Sequence, residues 1–351
     1  MEIRLGSTLH ELTKISPLPR HLSTVLFLAI TLTACSNELT LEAPYEDIPV
    51  AYAYLDAADD RHFVRIEKAF LESGGDALDN ARNPDSLYYG PNEATVTLTN
   101  LATSETVTLD RVDGGDFGLN RRDGIFATSP NILYTTDADD LNLRPGQQTA
   151  LTIERPGEPD ARAVTTLIQS IDILRPTELI RIDDYGRPLR IIWSKGPNAV
   201  IYDVRMTFNY RELFPGDPDR NRDRSEEFVL ATAFTGDNQS SNSQVSFEIE
   251  PELIYRAIGD RLEPIDGVVR RFETLSFTVT AAGQEVLDLV TVQNANAGIT
   301  SSQSIPRYTN LENGIGLFTS RSESTREDVL LDDGSLDSLR MGFYTSELNF
   351  R

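Results

Sequence analysis

The chain has 351 residues, 39% of them hydrophobic and 8% aromatic, which is enough for a buried core and too long for one small module. Its 32 basic residues are outnumbered by 55 acidic ones, and a formal net charge of −23 argues against nucleic-acid binding, which needs a basic face for the phosphates. Lysine occurs only at Lys14, Lys68 and Lys195, so the other basic residues are arginines. A saline habitat, where salt screens self-repulsion, and the arginine bias of a GC-rich genome both fit that composition.

Residues 22–32 form a mostly apolar run preceded by Lys14, Arg20 and His21. The run is shorter than the roughly 20 residues a helix needs to cross a bilayer core, and it fits the apolar part of an export signal. It ends in Leu32-Thr33-Ala34-Cys35, which resembles the lipobox of bacterial lipoproteins. In that family the cysteine thiol is acylated and the peptide is cut before it. An ordinary secretory signal is the alternative. Cys35 is the chain's only cysteine, however, and a lone thiol in an exported protein has no disulfide partner. We therefore expect a signal peptide over 1–34, and a lipidated Cys35 with a polar tether over 35–46.

Strand signals dominate the chain beyond the tether. Val200, Tyr202, Val204, Met206, Phe208 and Tyr210 alternate with polar neighbours, the period of a strand with one buried face. Similar alternation appears at 95–99 and 106–110, joined by a turn at 100–104, and again at 228–234, 245–249 and 275–280. Short helices are expected at 76–82, 251–262 and 284–292. Trp193 followed by Tyr202 and Val204 resembles the fibronectin type III pattern, in which a tryptophan fills the space between two sheets. The expected class is mainly β, with two β-sandwich domains: a transthyretin- or Ig-like domain over 47–175, and a fibronectin-like domain with helical insertions over 176–322. Residues 323–351 read as a tail.

Two stretches carry a wider resemblance. One is Arg65-Ile-Glu-Lys-Ala-Phe-Leu71 with Asp76-Ala-Leu78 and Asp85-Ser-Leu-Tyr-Tyr89; the other is Tyr308-Thr-Asn-Leu-Glu-Asn-Gly-Ile-Gly-Leu-Phe318. With Cys35-Ser-Asn-Glu-Leu39 they resemble a family of uncharacterised Bacteroidota lipoproteins that end in a Tyr-x-Asn-x-Glu-Asn-Gly-x-Gly-x-Phe segment. The resemblance implies an outer-membrane or surface lipoprotein with Ig-like or transthyretin-like domains, of a kind that often occurs beside TonB-dependent receptors. It brings no catalytic residues. The glycine spacing lacks the strand–helix context of a phosphate loop, so Gly314 and Gly316 read as a tight turn.

Little points to catalysis. His62 is the only histidine beyond the signal, and it reads as a solvated loop residue. One histidine and no free cysteine argue against zinc, haem or iron–sulfur ligation. So many acids always offer pairs, which leaves a carboxylate-based hydrolase a weak rival. Asp217, Asp219, Asn221 and Asp223 are spaced like the first ligands of a calcium loop, although Arg222 and Phe228 stand where a glycine and a bidentate glutamate belong. The alternative there is a solvated hairpin tip with local charge pairing. Asp85-Ser86-Leu87 and Asp337-Ser338-Leu339 fit an O-glycosylation triplet, but helix starts explain them as well. The expected function is a lipid-anchored, non-enzymatic binding protein of the outer membrane, an accessory to a TonB-dependent receptor, with no cofactor beyond that calcium candidate. A surface adhesin or glycan-binding module is the alternative, and its exposed aromatics would be sought at Tyr88, Tyr89, Tyr185 and Tyr210.

Overall fold

Alternation of apolar and polar residues builds a mainly β protein. The computed structural model describes residues 47–69, 77–236, 243–296 and 307–351. In chain order its strands are β1 (Pro49–Leu55), β2 (Arg61–Lys68), β3 (Thr95–Asn100), β4 (Glu105–Thr108), β5 (Asp110–Asp113) and β6 (Ile132–Asp137). There follow β7 (Gln148–Glu154), β8 (Ala161–Thr166), β9 (Ile173–Arg175), β10 (Leu179–Ile180) and β11 (Leu189–Ser194). The last are β12 (Ile201–Leu213), β13 (Arg222–Phe234), β14 (Gln244–Ile249), β15 (Val269–Ala282) and β16 (Ile315–Leu331). Longer helices lie at Pro251–Arg261, Gln284–Asn296 and Asp333–Met341.

One large sheet runs β13-β12-β15-β16-β1-β2-β6-β5, with β10 added beside β16. Two smaller sheets, β4-β3-β7-β8 and β14-β11-β9, complete two sandwiches that share it. The first core joins Ala51, Leu55, Ile66 and Phe318 of the large sheet to Leu98, Leu151 and Ile153 of the four-stranded one. The second joins Val204, Phe208, Phe277 and Val279 to Ile191, Trp193 and Val245 of the three-stranded one. Trp193 is fully buried, and its ring meets Tyr202 at 5.2 Å between centroids, edge on, where the sequence pattern placed an inter-sheet tryptophan.

β16 crosses from one core to the other. Ile315–Ser320 pairs in parallel with Val50–Leu55 of β1, and Arg321–Val329 pairs antiparallel with β15. The linker between the cores, residues 168–173, lies across it. Its backbone amides find acceptors in alternating serines of β16: Ile168 N donates to Ser320 Oγ (3.0 Å), Ile171 N to Ser322 Oγ (3.4 Å) and Ile173 N to Ser324 Oγ (3.2 Å). Buried amides need such partners, and the two-residue period of a strand supplies them at regular intervals.

Two expectations change. Residues 323–351 are no tail: Val329, Leu331, Leu339, Leu348 and Phe350 belong to the second core. Their apolar residues fall singly at the end of β16, in the helix Asp333–Met341 and in the last turn, so no local run announced them. His62 is not a solvated loop residue either. It lies in β2, is 2% exposed, and its Nδ1 has no hydrogen-bond partner among the described residues. Burial pushes its imidazole below the ordinary histidine range, with Asp59 pulling the other way.

The chain's end is held by a buried ion cluster. Arg270 in β15 is 2% exposed and donates to Glu212 Oε1 (3.2 Å), to the Leu348 carbonyl (3.2 Å) and to the Glu263 carbonyl (2.8 Å). Glu212 Oε2 accepts from Arg222 (2.7 Å) and Arg224 (3.2 Å). Burial pushes the Glu212 carboxyl up, but these three guanidiniums outweigh it and hold the group below the ordinary carboxylate range. Its contribution is therefore complete above the unfolded carboxylate pKa of about 4.3 and is lost as pH falls through the lower folded value. Glu212→Gln leaves Arg270 without its counter-charge and should cost about 3–5 kcal/mol. Urea denaturation at neutral pH reads that loss, and repeating it near pH 3 should show a smaller gap between variant and wild type.

Candidate functional site

The Tyr308–Phe318 segment is a clasp that fastens β16. Asn310 mimics a strand neighbour of Phe318: its Nδ2 donates to the Phe318 carbonyl (2.7 Å), and the Phe318 amide donates to its Oδ1 (3.0 Å). Thr309 Oγ1 accepts from the amides of Leu311 (3.2 Å) and Gly316 (3.1 Å). Glu312 exchanges two backbone hydrogen bonds with Arg162 of β8, and Asn313 Nδ2 donates to the Asp160 carbonyl (3.0 Å). Gly316 sits opposite Ala51 at φ 130°, where an added Cβ would lie 1.9 Å from the Ala51 carbonyl oxygen. Only glycine fits that position. The polar residues of the segment are thus engaged by the chain's own backbone.

The calcium candidates sit at the β12–β13 tip, and neighbours engage the side chains of two of the four. Asn221 Oδ1 accepts from the Phe214 amide (2.8 Å), and Asp223 pairs with Arg211 at 3.5 Å. Asp217 and Asp219 flank and enter a short turn over Pro218–Arg220. Arg220 and Arg222 stack on the Phe214 ring at 4.4 and 5.5 Å from its centroid, so cationic groups stand beside the acids. Among the described residues, no group of three or more His, Cys, Asp or Glu side chains gathers into a cluster that could hold a metal ion.

Cys35 lies outside the described residues. Of the tyrosines sought as exposed aromatics, Tyr88, Tyr89 and Tyr210 are 3% exposed or less, and only Tyr185 reaches the surface. Tyr88 receives a hydrogen bond from Arg121 (3.1 Å), Tyr89 bonds Asp47, and Tyr210 packs against Phe350. The exposed aromatics are instead Tyr52 and Tyr54, on the outer face of β1, with Phe117 and Phe343 elsewhere. The Asp85-Ser86 pair starts a helical turn capped by Asn83, whereas Ser338 lies inside the helix Asp333–Met341 and bonds the Gly334 carbonyl. No described helix is long and apolar enough to cross a membrane.

A groove of about 680 Å3 lies at β9, β10, β11 and the loop 183–188. Arg175, Arg181, Arg187 and Arg190 line it, opposed within the lining by Asp184 alone. Arg181 is held by Asp183 through a two-pronged contact (2.7 and 3.2 Å), which keeps the Asp183 carboxyl below its ordinary range. Arg190 pairs with Glu248 at 2.7 Å. Arg175 and Arg187 are exposed and have no side-chain partner among the described residues. The sequence reading missed these four. Their crowding into one short stretch of an acidic chain was the available signal.

No family model matches the chain, and no curated protein is similar to it. Distant structural neighbours include bacterial adhesins. One is a Ca2+-stabilised adhesin with which an Antarctic bacterium binds ice, at 8% identity, covering 82% of this chain and 49% of that one, with a TM-score of 0.19. Another is a 1.5-MDa bacterial ice-binding adhesin studied for retention at the host cell surface, at 10% identity, covering 83% and 66%, with a TM-score of 0.18. The chain spans about half of the first and just under two thirds of the second. Likenesses of this size carry no argument about function.

Two outcomes test the site assignments. Gly316→Ala should destabilise by about 2–4 kcal/mol through strain and clash, and Asn310→Ala by about 1–3 kcal/mol, both read by urea denaturation. Adding calcium or a chelator should leave Tm unchanged, because the Asn221 and Asp223 oxygens already have protein partners; a calcium-dependent rise abolished by Asp217→Ala would restore the metal loop.

Proposed function

We propose that the chain is a lipid-anchored, non-enzymatic binding protein of the outer membrane, attached through Cys35 and serving a TonB-dependent receptor as an accessory. The observation that most supports binding is the open arginine-lined groove on a body of net charge −23. Loops and sheet ends that carry unpaired charge are recognition surfaces. The anchor fits the chain's layout, because β1 begins at Pro49, a short tether beyond Cys35.

A second reading, a surface adhesin, draws on the outer face of β1. Tyr52 and Tyr54 are 43% and 45% exposed at alternate positions, an aromatic pair of the kind that stacks on sugar rings.

Radiolabelled palmitate fed to cells should label the wild type and not Cys35→Ser. Crosslinking native outer membranes and recovering the chain through a tag after the exposed Arg351 should then bring down one TonB-dependent receptor in near-equal amount. Recovery of the labelled lipoprotein alone would overturn the accessory reading and leave the adhesin. Failure to label would overturn the anchor.

A further inference from the structure

We propose that the groove between β9, β10, β11 and the loop 183–188 binds a small polyol or sugar that carries two or more phosphate groups. The inference rests on the reading of the chain as a binding protein and names the chemistry of its ligand.

Charge is the first argument. In a chain with 55 acidic and 32 basic residues, some exposed guanidiniums meet carboxylates, as at Arg271–Glu273 and Arg256–Glu252, and a cluster of arginines with few acids beside it stands apart from the chain's overall charge. Four line the groove, and Arg175 and Arg187 have no carboxylate partner among the described residues. Like charges held in one concavity repel each other, so the arrangement is relieved when a multivalent anion enters.

The second argument is geometric. A guanidinium presents a planar fork of N–H donors that matches an oxoanion edge, and phosphate offers enough oxygens to engage several forks at once. The carbon frame of the ligand also has a counterpart. Pro176, Leu179 and Ile192 supply apolar lining, and Thr177 offers a hydroxyl that can donate to or accept from a sugar hydroxyl.

Size and total charge set the upper limit. A volume of about 680 Å3 lies within the range of small-molecule sites, roughly 300–1,000 Å3. A long polyanion would run off the groove onto an acidic surface and be repelled, which favours a short ligand over a nucleic acid or an extended polyanionic chain. Arg181 and Arg190 are already braced by Asp183 and Glu248, so they act as a fixed rim, while Arg175 and Arg187 are free to close on phosphate.

The ligand could be a free sugar phosphate or the phosphorylated sugar headgroup of a membrane glycolipid, and the same chemistry serves both. The test uses the full chain purified in neutral detergent, whichever cell fraction it is recovered from. Isothermal titration is run with fructose bisphosphate and with inositol hexakisphosphate, and then with mixed micelles with and without lipid A. Saturable, salt-sensitive binding that falls on the order of tenfold or more in the double variant Arg175→Gln/Arg187→Gln supports the site. The control Arg82→Gln/Arg144→Gln, which removes two exposed arginines elsewhere, should bind as wild type. Binding of the free phosphates identifies a soluble ligand, whereas binding confined to lipid A micelles identifies a headgroup. No binding of any probe overturns the proposal, as does binding to which both double variants respond equally. These outcomes are independent of palmitate labelling and receptor recovery, so failure of the anchor or accessory reading leaves the groove result standing, and the converse holds too.

Discussion

The fold depends on β16 being a single uninterrupted strand with different partners along its length. Its first part needs the close approach to β1 that Gly316 permits, and its second part needs the long antiparallel pairing with β15. Between them, the row Ser320, Ser322 and Ser324 accepts the amides of the linker that passes from one core to the other. Ser320 also donates to the Leu55 carbonyl at the end of β1 (2.8 Å). Both cores therefore share a backbone, and damage to the clasp at residues 308–318 should be felt in each. The order of the chain adds a kinetic constraint, since β1 cannot find its parallel partner until the segment after residue 314 is available. Pairings so distant in sequence are slow to form.

This arrangement explains why some of the architecture could be read from the sequence and some could not. β12 was legible because one of its faces is dry and the other wet, so Tyr202, Val204, Met206, Phe208 and Tyr210 mark it by themselves. The helix at Pro251–Arg261 was legible for a similar reason, with Ile254, Tyr255 and Ile258 on one face. The second part of β16 was not. Residues 321–328 are polar throughout, because there the strand offers serines to a neighbouring backbone and charged side chains to water instead of packing methyl groups. A period-two search has nothing to detect in such a stretch. The glycines of the clasp were read as a tight turn; Gly314 lies at a bend, but Gly316 is a residue of β16, and the close approach it permits is to the Ala51 carbonyl in the first strand of the fold.

The misread side chains share a cause. Acidic spacing at residues 217–223 is a local signal, whereas the Asn221 and Asp223 oxygens are engaged by the Phe214 amide and Arg211. Adjacent Tyr88 and Tyr89 look like a surface pair, yet Arg121 and Asp47 reach in from elsewhere to satisfy their hydroxyls and offset the cost of burying them. In the groove the failure runs the other way. Arginine is so common here that four more attracted no notice, and only the fold shows that they line one groove.

The position of β1 has a mechanical consequence. It lies between β16, which runs parallel to it, and β2, which runs antiparallel, and it is the described strand nearest the chain's N-terminal end. Interstrand hydrogen bonds stand across the strand direction, so a tension applied at that end along the strand loads the rungs to β16 in shear, several at a time, instead of peeling them singly. If the body is held from its N-terminal side, as proposed, a pull there is shared by several rungs at once, and the first strand resists being drawn out.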